Sequence, residues 1–63
     1  MERPTVPNRM RDPKTGVTYV VMAYRQLERW EVLSAIRSYA SQQGRKPKRG
    51  STVEILTSFG AND

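Results

Sequence analysis

Cysteine and histidine are both absent from the 63 residues of this chain. The first absence removes disulfides as a means of holding a small fold together. The second leaves a tetrahedral zinc site to be built from carboxylates alone, so no metal and no cofactor is expected. It also removes the general base of a Ser-His or Cys-His nucleophile pair, plentiful as Ser and Thr are. Glu28 and Glu31 resemble paired carboxylates, but both fall in the first turn of a predicted helix, where the helix dipole accounts for them. An enzyme is therefore not expected. Long apolar runs are missing too, and none approaches the 18 or so residues of a membrane span. The opening Met1-Glu2-Arg3-Pro4-Thr5-Val6-Pro7 lacks the apolar core of a secretory signal. The expectation is a soluble cytoplasmic protein with no membrane partner.

A chain this short buries only about 60% of the surface its unfolded form exposes. Below about 70–80 residues, one core seldom supplies more than about 3–5 kcal/mol. With disulfides and metals set aside, self-association is the remaining remedy, and a homodimer is the leading expectation.

What is present in excess is positive charge, 11 Lys+Arg against 6 Asp+Glu. Arg45-Lys46-Pro47-Lys48-Arg49 holds four of the cations, which leaves the rest of the chain near balance. The net charge is thus one concentrated cationic segment, whose field reaches about 8 Å in physiological salt.

Residues 1–14 hold three of the four prolines and few apolar residues, and read as a flexible basic arm. Asp12-Pro13-Lys14-Thr15-Gly16 has turn chemistry. A single small domain is expected over 15–60, with 61–63 as a frayed end. Val17 to Arg25 is rich in β-branched and aromatic residues and predicts a strand with Val17, Tyr19, Val21 and Ala23 on one face. Thr18, Val20, Met22 and Tyr24 lie on the other. Both faces are largely apolar, and one helix can cover only one of them.

Residues 28–43 predict a helix stopped by Gly44 in a left-handed conformation. At about 100° per residue, Val32, Leu33, Ile36, Tyr39 and Ala40 share one arc and are expected to face the sheet. Trp30 projects outside that arc beside small polar residues. With Met22 and Tyr24 it is a candidate partner contact, since Trp is enriched at interfaces. Edge-capping of its own core is the plainer role for it.

Residues 52–59 alternate as a strand, Val53, Ile55, Thr57 and Phe59 against Glu54, Leu56 and Ser58. The segment also carries a helical capping pattern, Ser51 with Glu54 three residues on. Its β-branched content and the early Gly60 favour the strand. The expected fold is thus α+β, a small β-α-β unit of strand 17–25, helix 28–43 and strand 52–59, its two strands parallel through a right-handed crossover and its sheet completed by dimerisation. The other architecture is strand–helix–helix. Its order of a strand, then Leu27…Leu33…Ile36…Ala40…Gly44-Arg45, then Ser51…Glu54-Ile55-Leu56 resembles the ribbon-helix-helix repressors. That resemblance implies intertwined dimers with a paired β-ribbon in the DNA major groove.

Lys and Arg bind phosphates by releasing counterions, so Arg45, Lys46, Lys48 and Arg49 are the candidate nucleic-acid contacts, with DNA or RNA as partner. Arg9, Arg11 and Lys14 join them as a basic arm. The functional expectation is a small dimeric nucleic-acid-binding or regulatory protein. The alternative is a protein-interaction or assembly module docking through a sheet edge and Trp30. A solvated loop that keeps a small dimer soluble is the plainest reading of the same charges.

Overall fold

The computed structural model describes residues 3–61, which form three strands and one helix. Strand β1 is Val6–Arg11, β2 is Thr18–Ala23, the helix α1 is Arg29–Gln43 and β3 is Thr52–Leu56. The sheet order is β1-β2-β3. β1 runs antiparallel to β2, and β3 parallel to it. This is a mixed sheet in a small α+β fold. The segment after the helix is a strand in register with β2, Thr18 opposite Thr52 and Met22 opposite Leu56. The strand–helix–helix order implied by the repressor resemblance is therefore not the one observed.

β2, α1 and β3 follow one another with the two strands parallel, shorter than the expected 17–25 and 52–59, and a further strand lies beside β2. Residues 6–11, expected within a flexible arm, are instead an edge strand. The reason lies in a period-2 pattern that the prolines mask. Val6, Asn8 and Met10 pair opposite Ala23, Val21 and Tyr19 and turn toward the helix side, while Pro7, Arg9 and Arg11 turn away. Pro7 lacks an N–H, which an edge strand tolerates where that group would face outward.

Asn8 occupies an inward position where an apolar residue would be usual, and it is only 5% exposed. Its Nδ2 donates to the carbonyls of Val21 at 3.2 Å and Arg25 at 3.3 Å, and Leu27 N–H donates to its Oδ1 at 2.8 Å. One side chain thus ties β1 to β2 and to the linker entering α1. Asn62 and Asp63, where a frayed end was expected, lie outside the described residues. Ala61 itself is held: Arg3 Nη1 donates to the carbonyls of Gly60 and Ala61, both at 3.0 Å.

α1 ends as expected at Gly44, whose φ is 71° and whose N–H reaches the Ala40 carbonyl. Its buried face, however, is turned from the expected arc. Glu31, Val32 and Ala35 are buried, with Ile36 and Tyr39 packed beside them, while Leu33 and Ala40 are exposed. Two causes act together. Ala35 is small enough to allow close approach to the sheet, and Glu31 turns inward to meet Arg25. The core they cover is small, centred on Val21, Val32, Ala35 and Ile55.

α1 packs on the side of the sheet that carries Tyr19, Val21, Val53 and Ile55. Among the described residues no helix or strand covers the opposite face of the sheet. It carries three registered rows, Pro7/Met22/Leu56, Arg9/Val20/Glu54 and Arg11/Thr18/Thr52. Leu56 is 78% exposed there.

Candidate nucleic-acid interface

The cationic segment is placed by hydrogen bonds at both of its flanks. After Gly44 the chain leaves α1 and returns to β3, where Ser51 N–H and Oγ both donate to the Lys48 carbonyl. Gly50 N–H donates to the Thr15 carbonyl at 3.0 Å, and Thr18 N–H to Ser51 O at 2.9 Å. These bonds set the segment against the β1–β2 turn. That turn is closed by Asp12 N–H donating to Val17 O at 2.8 Å and Gly16 N–H donating to Asp12 O at 2.7 Å. The Asp12 carboxylate accepts the Lys14 N–H at 2.9 Å and itself lines the groove, so one negative charge stands among the cations there.

Cations about thirty residues apart in sequence therefore share one surface. Lys14, Arg45, Lys46 and Arg49 line an open groove of about 720 Å³, whose apolar part includes Val17 and Pro47. Lys48 is exposed on the same loop. Arg11 bends back to this end, with Nη2 3.7 Å from where a Cβ on Gly16 would stand. Among the described residues none of these side chains has an ion-pair or hydrogen-bond partner. The C-terminus of α1, with its partial negative charge, offsets some of their mutual repulsion. Chemically, clustered cations of this kind attract anions to the water-exposed mouth of the groove.

Arg9 is not part of it. It sits midway along β1 on the uncovered sheet face, level with Val20 and Glu54. The three candidate partner contacts are also dispersed. Met22 is half-buried on that same uncovered face. Tyr24 lies just past the end of β2, with the Arg3 guanidinium 5.8 Å over its ring. Trp30 is 63% exposed on the far side of α1, its Nε1 donating to Glu28 Oε2 at 2.7 Å.

At the other end of the sheet the charges are satisfied internally. Arg25 grips Glu31 with two bonds, Nη1 to Oε1 at 2.9 Å and Nη2 to Oε2 at 2.6 Å. Glu31 Oε1 also accepts the Glu28 N–H at 2.9 Å. The Arg25 hydrogen bonds first, then a backbone bond at Glu28, lower the Glu31 carboxyl from its ordinary 4.5 to about 2. Sequence reasoning missed both Asn8 and Arg25. An Asn at the inward position of an alternating run was the available signal for the first, and nothing local signalled the second.

Among the described residues no group of three or more His, Cys, Asp or Glu could hold a metal ion, and no helix is long and apolar enough to cross a membrane. No family model matches the chain, and no curated protein or solved structure is found similar to it.

Proposed function

We propose that the protein is a small nucleic-acid-binding or regulatory protein, cytoplasmic and homodimeric, that contacts backbone phosphates through its cationic end. The observation that carries the reading is the junction of the β1–β2 turn with the 45–49 loop, which gathers Lys14, Arg45, Lys46 and Arg49 around one groove against a single lining carboxylate, Asp12, that forms no ion pair with them among the described residues. Clustered unpaired cations on a relatively fixed backbone favour polyanions, because each phosphate neutralised releases counterions and little chain order has to be added. No base-reading geometry is involved, so affinity should be sequence-independent. The protein acts as a binder and not as a catalyst.

The test is retardation or polarisation of a labelled mixed-sequence oligonucleotide across a salt series. With four or five phosphates of a duplex contacted, log K should fall against log salt with a slope of about −3.6 to −4.5. Replacing Arg45, Lys46, Lys48 and Arg49 together by Ala should abolish binding without unfolding the protein. No retardation of the wild type at low salt would sink the proposal. The exposure of Trp30 supports a second reading, a protein-interaction module. A partner whose capture survives loop neutralisation and is lost in Trp30→Ala would favour it.

A further inference from the structure

The uncovered sheet face is chemically asymmetric, and its asymmetry runs across the strands. The β1 column carries Arg9 and Arg11, the β2 column carries Val20 and Met22, and the β3 column carries Glu54 and Leu56. Arg9 and Glu54 stand level with each other on either side of Val20. They are two strand spacings apart, about 9–10 Å between backbones. Neither has an ion-pair partner among the described residues.

From this register we infer that two copies of the chain pack through this face, about a two-fold axis parallel to the strands and lying over β2. The inference rests on the proposed self-association and specifies which surfaces meet. Such an axis sets β1 of one copy over β3 of the other without changing height along the strands. Arg9 of each copy then lies over Glu54 of its partner, twice by symmetry. Val20 meets Val20, Met22 meets Met22, and Pro7 covers the exposed Leu56. Packed sheets lie about 10 Å apart, a gap that an arginine and a glutamate together span. The usual skew of about 30° between packed sheets moves contacts one strand from the axis by only about 2–3 Å. A two-fold axis lying in the interface but perpendicular to the strands would instead stack Arg9 column on Arg9 column, and like charges facing one another oppose it.

Strand direction is unchanged by this axis, so both 45–49 loops and both β1–β2 turns fall at the same end of the dimer. The two cationic grooves then form one surface. Their repulsion weakens the dimer at low salt, and a polyanion lying across both grooves strengthens it. The face measures about 14 by 20 Å, less than a standard interface, so association in the micromolar range or weaker is expected.

Sedimentation equilibrium on the full chain, from low micromolar to near-millimolar protein in moderate salt, tests the inference. The wild type should dimerise. Arg9→Glu and Glu54→Arg should each weaken association by about tenfold or more, and the double variant should recover it. Leu56→Ser, at a site too exposed to matter to the fold, should weaken it as well. A wild type that stays monomeric throughout overturns both this interface and the homodimer proposed above. A dimer indifferent to the single reversals, or not restored by the pair, overturns the interface and leaves self-association standing.

Discussion

The two ends of this sheet spend their charged and polar groups in opposite ways. At the end where β2 meets α1, Asn8, Arg25 and Glu31 are each engaged by two or more hydrogen bonds, and Arg3 binds the Gly60 and Ala61 carbonyls. At the other end the cations of the 45–49 loop have no such partners among the described residues, although the backbone beneath them is bonded. The lesson is a division of labour. A core of few buried residues is supplemented by polar clamps at one end, which leaves the other end able to carry unpaired charge that contributes nothing to folding. Substitutions at the first end should change stability, and substitutions at the second should change binding.

The largest effect is expected at Asn8. Asn8→Leu leaves the Val21 and Arg25 carbonyls and the Leu27 N–H without their partner, at a cost of about 2–4 kcal/mol. That is most of the stability such a small domain has. Urea unfolding should show it, and a change below about 0.5 kcal/mol would break the clamp interpretation.

Acid should act next, and also at the clamped end. The folded-state pKa of Glu31 is lowered from 4.5 to about 2, so the unfolded chain binds the proton more readily between those values. Its stabilising contribution is fully present above about 4.5 and is lost as pH falls toward 2. Thermal melts of the wild type should therefore drop steeply across that window, and those of Glu31→Gln should start lower and drop less. Parallel curves for the two proteins would contradict the pairing.

A smaller loss is expected at Gly60, where φ is +83° and an added Cβ would stand 2.8 Å from Arg25 Cγ. Gly60→Ala should cost about 1 kcal/mol or somewhat more by thermal unfolding. Smallest of all, removing the four loop cations should leave stability within about 0.5 kcal/mol of the wild type. A substantial loss would show that the loop is part of the fold and not an appendage to it.

How much of this was legible beforehand follows the same division. β2, α1 and β3 are written in runs of β-branched and apolar residues and in Gly44, all local signals, although both strands are shorter than the expected 17–25 and 52–59. β1 was hidden because the one fully buried inward position in it is Asn8, whose role exists only once Val21, Arg25 and Leu27 surround it. The turn at Asp12–Gly16 was readable, but a turn reveals a hairpin only when the strand before it is recognised. The helix face was misjudged because Leu33 outweighs Ala35 on any hydrophobicity scale, while the Arg25–Glu31 pair and close packing at Ala35 decide the rotation. The cationic run was plain from composition. Which cations it would share a surface with was not, since that depends on Gly50 meeting Thr15 and on Arg9 facing the open side of the sheet.

The contrast between the two ends can be measured residue by residue, by following backbone amide resonances while an unlabelled oligonucleotide is added at low salt. Shifts should concentrate at residues 12–16 and 45–51, with residues 25–31 unmoved. Shifts centred on the Arg25–Glu31 end, or no shifts anywhere, would contradict it.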